Sequence, residues 1–229
     1  MNRIVLASSS PSRLMVLRNA GVEPDVVAPD VDEDAIVAAL RRESPHASPA
    51  DIVCALAEAK AADVVARIGA GSVDGAIVVV ACDSMLLLDG ELSGKPHTVD
   101  ETVRRWRLQR GRTAELVTGH SITVLPRASV GGAPSGRTAG ERSATAAIST
   151  AVHFGEPSDA DIRAYAESGE PLGCAGAFTL EALGGWFIDG VDGDPSSVLG
   201  LSLPLIRRTL AGWDLDVSAF WNRASGAAG

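Results

Sequence analysis

The sequence predicts an α/β fold, on three observations. Residues 76–82 (AIVVVAC) are an unbroken apolar run, the pattern of a strand buried on both faces. Arg3–Ala7, a shorter apolar run, passes through a serine-rich turn into the helically spaced LMVLRNAG, a strand–turn–helix unit. Strand-like and helix-like stretches then alternate along the chain, without internal repeats.

Taken in order, Arg3–Ala7 is the first strand, and Ser8-Ser9-Ser10-Pro11-Ser12-Arg13 turns it into a helix. Ser10 suits the N-cap, Pro11 the first helical position and Gly21 the left-handed stop. A helix N-terminus set in serines is an anion site, and Ser8 and Arg13 are assigned to phosphate. It is not a P-loop, and no GxGxxG occurs. Pro24–Pro29 reads as a second strand. Asp30, Asp32, Glu33 and Asp34 open a helix to about Arg42. They lack the glycine and terminal glutamate of a calcium loop, so most of the cluster serves the helix dipole and one carboxylate is left for a metal. Ser48-Pro49 starts a helix to Ile68, with Lys60 beside its apolar stripe, where it either snorkels to the surface or enters a cleft.

After the strand 76–82, Asp83 is expected at its C-terminal end, where open α/β sheets place their ligand crevice. A second apolar run, 84–88, turns at Asp89-Gly90, and Gly94-Lys95-Pro96 holds a lysine between two backbone-restricting residues. Thr98 and Glu101 form a capping box for a helix to Gln109, stopped by Gly111. The arginines of 104–112 read as a solvated helix face rather than a nucleic-acid patch. A strand over 113–125 leads to 126–143, rich in Gly, Pro, Ser and Arg, which reads as a mobile loop or insertion. Beyond it come a strand over 145–154, a helix from Ser158 and Asp161 to Gly169, short strands at 177–180 and 186–191, a helix over 201–210 and a frayed tail, 225–229.

The net charge of −9 argues against nucleic acid or an anionic membrane as partner. The opening apolar run is too short for a signal peptide or a membrane span, and the expected location is cytoplasmic. Cys54, Cys82 and Cys174 have no CxxC spacing and read as reduced, buried small hydrophobes. The four histidines are dispersed and no GxSxG elbow is present, which sets aside structural zinc and a serine-hydrolase site. The basic residues are 18 arginines and only 2 lysines, Lys60 and Lys95, places where a compact ammonium is wanted instead of a planar fork. Carboxylates, two lysines, an arginine and a serine-capped helix together point to metal-assisted attack on a phosphate.

These motifs resemble the Maf-like nucleoside triphosphate pyrophosphatases. LASSSPSR (6–13), AEAKA (57–61), ACDS (81–84), GKP (94–96), GRTAELVTG (111–119), SGEPLGCAGAFTLEALGGWFI (168–188) and the stretch through VLGLSLPL (193–205) match in order and spacing. The resemblance covers nearly the whole chain except about 126–143. It implies one domain over 1–229, with an elongated mixed sheet, flanking helices and a cleft between two lobes, of the inosine-triphosphatase-like (Maf/Ham1) type. It also implies a divalent cation, Mg²⁺ or Mn²⁺, and hydrolysis of nucleoside triphosphates to monophosphate and pyrophosphate. By position, Asp83 is implied as proton acceptor or metal ligand and Glu33 as its partner on the metal. Ser8, Arg13, Lys60 and Lys95 are implied to hold the triphosphate. Ser12, Ser84 and Glu181 stand where the subgroup acting on dTTP and UTP carries Arg, Thr and Gln, so a tilt towards guanine-type or modified triphosphates is expected, the alternative being a Glu181 that faces solvent beside a loosely selective pocket. The expected partner is the nucleotide, and a homodimer is left open. Alternatives from other classes are a nucleotide-binding regulator of cell division and a phosphate-binding module without catalysis.

Overall fold

The computed structural model describes residues 2–68, 75–125 and 142–222. Among these residues, seven strands form one open mixed sheet: β1 (Arg3–Ala7), β2 (Asp25–Val26), β3 (Ile77–Leu88), β4 (Glu91–Ser93), β5 (Thr113–Leu125), β6 (Arg142–Phe154) and β7 (Ile188–Asp192). The order is β2-β1-β3-β5-β6-β7, with β4 paired to the far end of β3. Only β1 pairs in parallel, with β2 and β3; every other pairing is antiparallel. The helices are α1 (Pro11–Asn19), α2 (Glu33–Glu43), α3 (Pro49–Ile68), α4 (Val99–Gln109), α5 (Asp159–Glu167), α6 (Pro195–Val198) and α7 (Leu203–Ala211). Among the described residues no helix is long and apolar enough to cross a membrane.

The central strand differs from the sequence expectation. Instead of ending before Asp83, β3 runs unbroken for 12 residues, and Asp83 sits within it opposite Gly119 of β5. The crevice survives for another reason: β1 ends at Ala7, opposite Ala81, while β3 continues past it. Asp83 and Ser84 thus lie just beyond the parallel pair, after Cys82, on a strand whose neighbour has turned away towards α1. Strand alternation then sorts them. Val79 and Ala81 pack with α3 residues Ala61 and Val64, and Asp83 shares their face. Val78, Val80 and Cys82 pack with Leu17 of α1 and Ile206 and Leu210 of α7, and Ser84 shares theirs.

Local signals account for most boundaries. Ser10 caps α1, Pro11 opens it and Gly21 follows it at φ +80°. Asp32 caps α2, and Ser158 with Asp161 forms the full capping box of α5. At α4 only half of the expected box forms: Thr98 accepts from the Glu101 N–H, while the Glu101 carboxylate turns to Arg104 and Arg105. The strand expected at 24–29 shrinks to Asp25–Val26, because prolines at both ends cannot donate to a ladder. No strand forms at 177–180: Gly176 and Ala177 take positive φ, which breaks an extended run, and 175–177 is a 3₁₀ turn. The last strand is 188–192 rather than 186–191, and β6 begins at Arg142 rather than Thr145. The rest of the expected loop at 126–143, and the tail 225–229, lie outside the described residues. All three cysteines are free, but only Cys82 is fully buried; Cys54 and Cys174 are half-buried.

Two devices hold the walls of the cleft. Trp106 of α4 is wholly buried, packs edge-on against Phe154, Tyr165 and Phe187, and donates from Nε1 to the Ala177 carbonyl at 2.7 Å. Gly119 lets α3 lie directly on the sheet beside Asp83: a Cβ there would stand 2.3 Å from the Val53 carbonyl oxygen. Backbone cannot yield as a side-chain tip can, so Gly119→Ala is expected to cost about 2 kcal/mol or more in urea unfolding. A loss below about 0.5 kcal/mol, the size of a neutral surface change, would show that α3 is free to shift outwards.

Candidate active site

A cavity of about 290 Å³ opens past the end of β1, between α1, α3, β3 and the segment 173–181. All nine residues singled out from the sequence line it: Ser8, Ser12, Arg13, Glu33, Lys60, Asp83, Ser84, Lys95 and Glu181. The rest of the wall is largely apolar, from Leu116, Ala175, Phe178, Val198 and Leu199.

One side is the turn from β1 into α1. The buried Ser8 hydroxyl accepts from the Ser10 N–H (3.1 Å) and from Arg13 Nη1 (3.2 Å). Arg13 also donates from Nε to the Gly200 carbonyl (2.9 Å) and from Nη2 to the Ser84 hydroxyl (3.3 Å). These bonds fix the guanidinium plane and leave two of its five N–H donors for a ligand. With the positive end of α1 beside it, this side attracts anions.

Facing it is an ion cluster, a buried lysine–aspartate pair joined by an exposed glutamate. Lys60 belongs to the buried stripe of α3, between Leu56 and Val64, so it enters the cleft and does not snorkel. Its Nζ lies 2.6 Å from Asp83 Oδ1 and 2.8 Å from Glu33 Oε1. Burial acts to raise the pKa of Glu33, but the hydrogen bond and charge of Lys60, with Lys95 and Arg13 behind it, hold it below the ordinary carboxylate value. Asp83 Oδ2 is buried and meets no partner. A carboxylate oxygen so placed is an acceptor awaiting a proton donor or a cation. Lys95 is exposed on a segment pinned at both ends. Gly94 O accepts from Arg105 Nη1 (2.6 Å) and from the Gly176 N–H (3.2 Å), and the His97 N–H donates to Leu172 O (3.1 Å). Glu181 is exposed, its carboxylate accepting from the Leu180 N–H at 3.0 Å.

As a metal site the arrangement is incomplete by itself. Among the described residues no group of three or more His, Cys, Asp or Glu converges as a ligand set. Two carboxylates do converge, one with an unmatched oxygen. That donor set suits a cation such as Mg²⁺, which takes one or two carboxylates and fills its shell with phosphate oxygens and water.

Several supporting residues escaped the sequence reading. Gly119 could have been noticed, since a glycine inside a strand often marks close approach of another backbone. Glu170 carried no such signal, yet it braces the segment behind Glu181, accepting from the Thr179 hydroxyl, the Leu183 N–H (3.1 Å) and the Gly184 N–H (3.0 Å). His120, wholly buried in β5, accepts at Nε2 from the Ser202 N–H at 2.8 Å. Burial and the charge of Arg13 push its pKa down to about 4, so it stays neutral near pH 7.

The model of the Maf-like protein family matches residues 3–213. Curated relatives include proteins of Corynebacterium efficiens (55% identical over 96% of this chain and 100% of the relative), Mycobacterium sp. strain JLS (55%; 96% and 99%) and Rhodococcus jostii (51%; 96% and 97%). Each of these relatives is named nucleoside triphosphate pyrophosphatase.

The ion cluster makes a stability prediction. Lys60→Met strands the buried Asp83 charge and is expected to destabilise by about 3 kcal/mol, whereas the Lys60→Met/Asp83→Asn pair recovers much of the loss. Strictly additive losses in urea unfolding would mean that the two side chains do not depend on one another.

Proposed function

The chain belongs to the Maf-like family, and from that premise we propose that it hydrolyses nucleoside triphosphates to the monophosphate and pyrophosphate. The observation that carries this reading is the single cleft in which an anion-attracting turn faces two carboxylates joined by Lys60. The triphosphate lies along Ser8, Arg13 and the N-terminus of α1, with Lys60 and Lys95 offsetting its charge. Asp83 accepts a hydrogen bond from water at its unpartnered Oδ2 and takes the proton as the water oxygen attacks the α-phosphorus. The bond from that phosphorus to the bridging oxygen breaks, and pyrophosphate leaves with the bonding electrons. Charge accumulates on the leaving group as this happens, so the cations around it act most strongly in the transition state. Asp83 and Glu33 would hold a divalent cation, which would supply further charge neutralisation on the phosphate oxygens.

The nucleoside is assigned to the apolar wall of Leu116, Phe178 and Leu199, with Ser12 and Ser84 leaving room and Glu181 near the base edge. A carboxylate there can accept from the N1–H and 2-amino group of guanine, while uracil and thymine present one N–H between two carbonyl oxygens. The proposal therefore favours guanine-type triphosphates, modified ones included, and with them a role in clearing non-canonical nucleotides. A cytoplasmic location and the two-lobed, inosine-triphosphatase-like architecture belong to the same proposal.

The test is release of pyrophosphate from GTP, 7-methyl-GTP, UTP and dTTP with Mg²⁺ or Mn²⁺. Wild type is expected to turn over the guanine nucleotides faster, Glu181→Gln to narrow that preference, and Asp83→Asn to lose on the order of 10²-fold or more in rate while staying folded. Turnover by Asp83→Asn within about threefold of wild type would remove Asp83 from the chemistry, and an unchanged base order in Glu181→Gln would remove Glu181 from base reading.

A further inference from the structure

Behind the cleft, one carboxylate organises the loop 193–202. Asp194 caps α6: its Oδ1 accepts from the Ser196 N–H (2.9 Å), the Ser197 N–H (3.3 Å) and the Ser196 hydroxyl (2.6 Å). Its Oδ2 accepts from the Ser202 hydroxyl. Both serines pass the constraint on to α7, Ser196 Oγ accepting from the Leu203 N–H (3.0 Å) and Ser202 Oγ from the Leu205 N–H (3.1 Å). The loop is also tied to the sheet, through Asp194 N–H to Thr150 Oγ1 (3.1 Å) and Ser202 N–H to His120 Nε2 (2.8 Å).

Two carbonyls leave this loop towards the phosphate side of the cleft. Gly200 O accepts from Arg13 Nε. Ser197 O accepts from the Thr118 hydroxyl (3.1 Å), which lies 3.0 Å from the Ser84 hydroxyl. Gly200 has φ +95°, and a Cβ on it would stand 3.0 Å from Arg13 Nε, so loop and guanidinium are in close contact. Asp194 does not line the cavity itself. It touches Arg13 only through the chain it folds.

We infer that Asp194 is a positioning residue for the triphosphate: by closing the 194–202 loop it fixes the Gly200 carbonyl, and with it the orientation of the Arg13 guanidinium. The inference rests on the hydrolase reading above. Burial would raise the pKa of Asp194, but the hydroxyl and N–H donors around it hold it below the usual aspartate value, so the carboxylate is charged at neutral pH.

The experiment is a double-mutant cycle on binding of the α,β-methylene analogue of GTP or UTP, whichever base wild type turns over faster, measured by calorimetry with Mg²⁺ present. Asp194→Ala is expected to weaken binding about tenfold in the wild-type background and less than about twofold on Arg13→Ala, since its effect travels through Arg13. An equal loss in both backgrounds would make Asp194 a general prop of the fold and overturn the inference. Equal binding by wild type and Asp194→Ala would overturn it too. Should Asp194→Ala not fold, Asp194→Asn keeps an oxygen for the two backbone N–H groups but not the acceptor for Ser202, and the same pattern at smaller size is expected. An analogue that does not bind the wild type with either base overturns the hydrolase reading and this inference with it.

Discussion

The structure depends on one ammonium group shared between two carboxylates. Lys60 enters the cleft from a helix, Asp83 from the middle of the central strand, and Glu33 from the first turn of another helix. Lys60 and Asp83 are buried while Glu33 is exposed. Burying the Lys60–Asp83 pair costs several kcal/mol per ion in desolvation, offset only by close geometry, and an apolar pair of similar volume would generally be more stable. The cluster also leaves Asp83 Oδ2 unmatched. A chain selected only for stability would have closed that gap. In the hydrolysis we propose, the same oxygen is the acceptor for the attacking water.

The surrounding architecture exists to hold this charge still. Because β1 stops at Ala7 and β3 does not, the strand carries Asp83 and Ser84 to the wall of the cleft with the sheet still supporting them from the β5 side. Alternation along β3 presents the carboxylate to Lys60 and the hydroxyl to Arg13, so that two successive residues serve the two walls of one cleft. Gly119 brings α3 down on the sheet beside them. The far wall is fixed differently, by a buried tryptophan and by Glu170, which binds the loop behind Glu181 through its own backbone.

How much of this was legible in the sequence depends on the range of the interaction. Caps and stops are local, and Ser10, Pro11, Gly21, Ser158 and Gly111 stand where their chemistry suggested. The nine cleft residues were legible because ordered short motifs and a resemblance pointed to them, and a scarcity of lysine drew the eye to Lys60. The continuity of β3 was not legible. An aspartate in an apolar run looks like an ending, and only the partner lysine, 23 residues away, makes it tolerable inside a strand. His120 was invisible for the same reason, since only the fold brings Ser202 to it. Glu170 and Asp194 lie within the recognised stretches 168–188 and 193–205, and Asp194-Pro195 is a local N-cap signal, but their ties to Gly184 and Ser202 are set by the fold.

In the proposed reaction, water activated at Asp83 attacks the α-phosphorus of a nucleoside triphosphate. Hydrolysis in H₂¹⁸O, with both products analysed by mass spectrometry, tests it most directly. One ¹⁸O is expected in the nucleoside monophosphate and none in the pyrophosphate. Label in the pyrophosphate, or release of orthophosphate and a diphosphate instead, would place the attack at another phosphorus and contradict it.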